Sequence, residues 1–250
     1  MSDTPTGLSQ AQTIDLLFLG NFVHQVINPL NGIAGTLDNV AHGVYSFEDS
    51  KRKVNAARAQ LEGCISLVRN LAFFSEVSST NKQLSAPRSN AVSVLPQIII
   101  EAAMFYQDAA QSMQIDIELL DRETQYRING RPEVLRQVFM NLFDNATKYG
   151  DSHSKVTIEP RVQEKNRTLL VEIRNSGIGF SGDEARKFFQ LGVRGRQAKE
   201  SKALGTGLGL YICRRIMEDF IGGTISVSHN SKRRETTFQI RFPSNVWSVS

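Results

Sequence analysis

The stretch FLGNFVHQVINPLNG (18–32) places His24 inside a long apolar pattern, with Asn28 four residues later and Pro29 directly after it. An imidazole can act as a nucleophile and as a proton carrier. Residues four apart share a helix face, so His24 and Asn28 lie one turn apart on the same side. Pro29 removes one backbone hydrogen bond and crowds the carbonyl of Gln25, which bends a helix there. Gly32 and Gly35 follow, each costing about 1 kcal/mol against alanine in a helix interior. So many unfavourable helix choices in one place point to a site rather than scaffold. His42, His153 and His229 lack such a context and read as solvated surface side chains.

A second set of chemical residues lies further on. In RPEVLRQVFMNLFDNATKYG (131–150), Leu135, Phe139, Leu142 and Ala146 form an apolar face. Gln137, Asn141, Asn145 and Lys148 form a polar strip at helical spacing. Asparagine is a poor helix former, but its amide oxygen suits a hard cation such as Mg²⁺, and the ammonium of lysine suits phosphate. In NSGIGF (175–180), Gly177 and Gly179 follow a strand pattern and let backbone approach a flat ligand. GTGLGLYICRRI (205–216) puts Gly205, Gly207 and Gly209 at a helix start, where unpaired N–H groups favour phosphate. Residues 190–204 carry Arg194, Arg196, Lys199 and Lys202, with the length and charge of a lid over phosphates. The ordered set reads as a nucleotide pocket.

Two kinds of scaffold must hold these residues. Across 12–42, Leu16, Val23, Leu30 and Leu37 repeat every seven residues, with Leu19, Val26, Ile33 and Val40 three later; this is a coiled-coil-like seam. The pattern resumes with Val54, Ala57, Leu61, Cys64, Val68 and Leu71 after a short turn. Two such helices form an antiparallel hairpin with little core of its own, so two copies are expected to pair as a four-helix bundle in a homodimer. Beyond a polar, proline-marked linker (79–90), the spacing predicts a helix over 92–112, strands at IDIELL and YRI, and a helix over 132–149. Strands at KVTIEP and TLLVEIR, a helix over 207–221, and strands at GTISVSH and TTFQIRF complete an α/β sandwich with a largely antiparallel or mixed sheet. The expected organisation is α+β: a tail (1–11), the hairpin (12–78), the linker and a ligand-binding domain (91–250).

Composition narrows the class. A net charge of +4 over 250 residues is too small and scattered to argue for nucleic acid. The first residues lack the basic and apolar regions of a signal peptide, and no run reaches the roughly 18 apolar residues of a membrane span. Cys64 and Cys213 sit in helical patterns without zinc-type neighbours. A soluble, cytoplasmic protein without membrane insertion is expected.

In motif order and spacing, residues 12–243 resemble the sensor histidine kinases of bacterial two-component signalling. FLGNFVHQVINPLNGI resembles the H-box, RQVFMNLFDNATKYG the N-box, NSGIGF the first glycine box and GTGLGLYICRRI the second. The resemblance implies a dimerisation hairpin with His24 as phospho-acceptor, and a Bergerat-type domain binding ATP and Mg²⁺. It implies Asn145 as the metal ligand, with Asn141, Lys148, Tyr149 and Asn175 around the nucleotide. Gly177, Gly179, Arg194, Gly205, Thr206, Gly207, Leu208 and Gly209 would complete that site. The implied partners are a second copy, a response-regulator receiver domain and a separate sensor protein.

Two positions depart from the family pattern. Gln25 replaces the acidic residue after the phospho-acceptor; an amide cannot take a proton as a general base, although its oxygen could hold the ring N–H of His24, so slowed transfer is expected. Asn175 replaces the aspartate that holds the adenine amino group, which costs a charge-assisted hydrogen bond worth about 1–2 kcal/mol and relaxes discrimination against guanine. Asn28 sits where family members position water for dephosphorylation. The alternative reading is therefore a degenerate kinase acting as phosphatase, phosphotransferase or docking module.

Overall fold

The computed structural model describes residues 16–78, 91–200 and 205–249. The expected tail, the linker and Lys202 lie outside the described residues, as does the side chain of Lys199. Contacts divide the chain into two units, Met1–Ile65 and Ser66–Ser250.

In the first unit, α1 (Leu16–Ala41) runs unbroken through Pro29. The chain reverses at Gly43, with φ of 67°, and enters α2 (Phe47–Ser78), which continues beyond the division. Ser46 Oγ accepts a 3.2 Å hydrogen bond from Asp49 N–H and so caps the start of α2. The two seven-residue positions behave differently. Ile33, Ala57 and Cys64 turn inward and are buried with Phe22, and the Cys64 thiol reaches the Val26 carbonyl at 3.8 Å. Val23, Leu30, Leu37, Val54 and Leu61 remain 39–49% exposed. A single hairpin covers only one half of its apolar seam.

In the second unit, β1 (Val92–Val94), β3 (Tyr126–Asn129) and β8 (Trp247–Val249) form a small antiparallel sheet in the order β1-β3-β8. The larger sheet runs β2-β4-β5-β7-β6, from β2 (Asp116–Leu119), β4 (Lys155–Gln163), β5 (Thr168–Ser176), β6 (Thr224–Asn230) and β7 (Glu235–Phe242). It is mixed: β2 and β4 are parallel and the other pairs antiparallel. Alternation gives it one apolar face, where Ile158, Ile173, Phe238 and Val227 stand in one cross-strand row. The opposite face carries ions: Glu172 is 4% exposed and binds Arg161, Arg174 and Gln239.

Helices α3 (Leu95–Phe105), α5 (Pro132–Tyr149) and α8 (Gly209–Arg215) supply the apolar residues that complete the core. On α5, Leu135, Phe139, Leu142 and Phe143 are fully buried. Short helices α4 (Gln107–Ser112), α6 (Gly182–Lys187) and α7 (Arg196–Glu200) complete the set.

Two expected helices differ in detail. The helix expected over 92–112 begins as strand β1 and breaks at Tyr106, whose backbone (φ −106°, ψ 8°) leaves the helical region as its N–H bonds the Ala103 carbonyl. The helix expected over 207–221 is α-helical only over Gly209–Arg215 and continues as a π-helix over Ile216–Ile221, ending at Gly222 with φ of 75°. Both cysteines are free and buried, and burial pushes the Cys213 thiol up to about 12.

The protein has a single tryptophan, Trp247, which lies in the second unit and reports on it. Phe143→Ala is expected to destabilise that unit by about 3–5 kcal/mol, read as a lower denaturant midpoint in Trp247 fluorescence.

Candidate functional site

The site forms where α5 ends beside the last row of the large sheet. On α5, Gln137 and Asn141 are 6% and 3% exposed, so their amides must find partners inside the protein. Gln137 Nε2 donates to Asn70 Oδ1 at 3.0 Å and to Asn141 Oδ1 at 3.3 Å. Asn141 Nδ2 donates to the Gly209 carbonyl at 3.2 Å. This chain of amides joins the end of α2 to the first residue of α8 and fixes the second glycine segment. Asn141 lines the pocket with both ends of its amide engaged. Asn145, one turn on, lines the same pocket, and among the described residues nothing takes its amide. Lys148 is held by Asp144 at 2.6 Å, with both side chains less than one-fifth exposed.

The two glycine segments are positioned by close backbone approach. A Cβ on Gly177 would lie 2.2 Å from the Tyr149 carbonyl oxygen, so no other residue fits where this loop meets the end of α5. Ile178 N–H donates to the same carbonyl at 3.0 Å. Gly207 has φ of 72°, and a Cβ there would come within 2.6 Å of Gly192 and 2.7 Å of Val193 backbone. Leu208, fully buried, donates its N–H to Thr206 Oγ1 at 3.3 Å.

The basic segment is anchored at its base. Glu184 closes a capping box with Ser181 at the start of α6 and accepts from Arg196 N–H at 2.9 Å. The N–H groups of Arg196 and Ser181 hold its carboxyl below the usual carboxylate range. Phe188 packs edge-on against Phe180, ring centroids 4.8 Å apart, and borders Gly195. Arg194 and the Tyr149 hydroxyl both border Gly205.

One pocket is thus lined by Asn141, Asn145, Lys148 and Tyr149 from α5, by Asn175 and Gly179 from the first glycine segment, and by Gly205, Thr206, Gly207 and Gly209 from the second. Arg194 joins them; Leu208 and Gly177 stand behind the lining as supports. His24, Gln25 and Asn28 belong to the first unit. His24 and Asn28 are exposed on α1. Gln25 Oε1 is buried and, among the described residues, has no hydrogen-bond partner, so it does not hold the His24 ring as the sequence suggested.

Sequence reasoning missed Asp144, Asn70, Thr236 and His229. Thr236 lines the pocket. His229 is half-buried rather than solvated: its Nδ1 lies 3.1 Å from Thr236 Oγ1 and its ring packs on Phe180 at 5.3 Å. The missed signal is alternation. In β6 (Ile225, Val227, His229) and β7 (Phe242, Ile240, Phe238, Thr236), the apolar phase ends on a polar residue at the pocket.

Residues 130–246 match the family described as histidine kinase-, DNA gyrase B- and HSP90-like ATPase. Over most of the chain, the similar curated proteins include sensor kinases. GacS of Pseudomonas syringae pv. syringae is 27% identical over 225 residues, covering 87% of this chain and 24% of that protein. WalK of Bacillus subtilis is 26% identical over 226 residues, covering 90% and 36%. The chain therefore spans about a quarter to a third of the curated relatives it matches. Among solved structures, Acinetobacter baumannii histidine kinase AdeS superposes with a TM-score of 0.60 at 22% identity, covering 89% of this chain and 98% of that one. The histidine kinase ThkA in complex with response regulator TrrA gives 0.60 at 20% identity, covering 92% and 62%. Over most of its length the chain is thus similar to two-component sensor histidine kinases, and residues 130–246 match the ATPase family they contain. No helix among the described residues is long and apolar enough to cross a membrane.

Gly207→Ala is expected to cost about 1–3 kcal/mol through left-handed backbone strain, with the contact to Val193 adding to it. A lowered melting temperature in Trp247 fluorescence checks this. An unchanged one would show that 190–195 does not sit against Gly207.

Proposed function

We propose that this protein is a histidine kinase that autophosphorylates His24 from Mg·ATP and passes the phosphoryl group to a response-regulator aspartate. The observation that carries the reading is the single pocket into which four separate segments converge: the polar strip of α5, both glycine segments and Arg194. In the proposed step, His24 Nε2 forms a bond to the γ-phosphorus as the bond to the ADP oxygen breaks, and the exposed ring releases its other N–H proton to solvent water. Positioning and charge neutralisation carry most of such a transfer, so the amide at Gln25 slows it rather than stopping it.

Within the pocket, Asn175 would accept from the adenine amino group and Asn145 would hold Mg²⁺. The unclaimed Asn145 amide fits that role, and among the described residues no cluster of carboxylate, histidine and cysteine competes for the metal. When bound, the ion would neutralise phosphate charge. Lys148, oriented by Asp144, and Arg194 would contact phosphates, while Tyr149 and Thr206 would close the site around them. Gly177, Gly179, Gly205, Gly207, Leu208 and Gly209 would shape the backbone around the nucleotide.

The uncovered half of the hairpin seam, from Val23 to Leu61, supports a homodimer through a four-helix bundle. ThkA, which shares this fold, forms a complex with the response regulator protein TrrA, and this supports the proposed partner class. A separate sensor protein would supply the signal to the hairpin, and the proposed setting is the cytoplasm. Asn28, exposed one turn from His24, would face the docked regulator. No comparison supports the phosphatase, phosphotransferase or docking reading.

Incubation with γ-labelled ATP and Mg²⁺ is expected to leave acid-labile, alkali-stable label on the wild type and none on His24→Ala, with nucleotide binding retained in the variant. Label surviving in His24→Ala would refute the assignment of the acceptor. A wild type that binds ATP but takes no label would refute the kinase reading.

A further inference from the structure

The register of the large sheet sets three polar side chains side by side. Asn175 on β5 pairs with Thr236 on β7, and Thr236 pairs with His229 on β6. Directly opposed residues share a face with Cβ atoms about 5 Å apart. The preceding row on that face is Ile173, Phe238 and Val227, so the face changes from apolar to polar where the pocket begins. Asn175 and Thr236 both line that pocket, at 6% exposure each. His229 stands behind them, with Nδ1 3.1 Å from Thr236 Oγ1. Its ring rests on Phe180, and a Cβ on Gly179 would lie 2.7 Å from its Nε2, so glycine at that position leaves room for the imidazole.

Each pocket-facing group has a hydrogen-bonding partner behind it. Asn175 Nδ2 donates to the Ser176 carbonyl at 3.3 Å, which leaves Oδ1 as the end available to a ligand. Thr236 has one hydroxyl proton. When His229 Nδ1 carries a proton, it donates to Thr236 Oγ1 and the hydroxyl proton is free to point into the pocket. When Nδ1 is bare, that hydroxyl proton goes to the imidazole and Thr236 offers the pocket only an acceptor.

These two senses match different purines. Adenine presents an amino donor at position 6 and an acceptor at N1, which complement Asn175 Oδ1 and a donating Thr236. Guanine presents the reverse, an acceptor at position 6 and a donor at N1. Accommodating guanine requires turning the Asn175 amide away from Ser176 and an Nδ1 on His229 that carries no proton. A site whose buried groups are left mispaired discriminates strongly.

Building on the nucleotide-site reading above, we propose that His229 is a specificity-determining residue: it holds Thr236 as a hydrogen-bond donor and, with the Asn175–Ser176 bond, keeps the pocket selective for adenine without a carboxylate. It acts through Thr236 and touches no reacting atom, so it is a positioning residue. The discrimination against guanine that an asparagine at 175 surrenders as a residue type is recovered by what the sheet places behind it.

The test is the ratio of ADP to GDP affinity in the full chain, measured by calorimetry with Mg²⁺. The wild type is expected to favour ADP by about tenfold or more. His229→Phe keeps a ring against Phe180 but has no nitrogen. It should cut the ratio by about threefold or more while nucleotide still binds. His229→Gln, which retains an amide donor, should return most of the ratio. Thr236→Val should lower the ratio as His229→Phe does, and the double variant should lower it no further. Equal changes in ADP and GDP affinity in His229→Phe, or no change in either, would overturn the role of His229 while leaving the nucleotide site standing. A wild type that binds neither ADP nor GDP would overturn the site itself and the inference with it.

Discussion

Helix α5 is buried over most of its circumference, and its amides must be satisfied within the protein. Leu135, Phe139, Leu142 and Phe143 are buried in the core, which prevents the helix from rotating its polar residues towards water. An unpaired buried amide costs about 1–3 kcal/mol. Gln137 and Asn141 therefore recruit Asn70 and the Gly209 carbonyl. The position of the second glycine segment follows from that requirement. Asn145 lies one turn further on, where the helix emerges at the pocket, and keeps its amide for a ligand. A single polar strip thus divides its labour, with its buried part holding the site together and its emerging part facing what binds.

Steric constraint completes what hydrogen bonding begins. The two glycine segments are joined to the scaffold at points where a side chain cannot exist: Gly177 against the Tyr149 carbonyl, and Gly207 against Gly192 and Val193. The first contact ties the end of β5 to the end of α5. The second brings the start of α8 against the segment that carries Arg194. Glu184 fixes the other side of that segment through the Arg196 N–H. The basic segment is consequently held at two points, with Arg194 directed at Gly205 between them.

The N-terminal hairpin shows a different economy. One apolar position of its repeat closes the hairpin on itself, and the other is left at 39–49% exposure. An exposed apolar stripe of that kind marks a surface suited to association with another apolar surface. His24 and Asn28 lie on the same helix and remain exposed.

Composition, periodicity and motif order by themselves determined the α+β class, the hairpin, the helix of residues 132–149, most strands of the large sheet and most residues that line one pocket. These are local patterns, and each is written in consecutive residues. The same reading placed His229 on the surface, because residue type and neighbours along the chain were all it could weigh. Only the tertiary structure decided that Asn141 supports the glycine segment and that His229 stands behind Thr236. The reason is physical: those outcomes depend on strand register and on which buried amides find each other. Both are settled by pairings between residues as many as 68 positions apart, which no local pattern encodes.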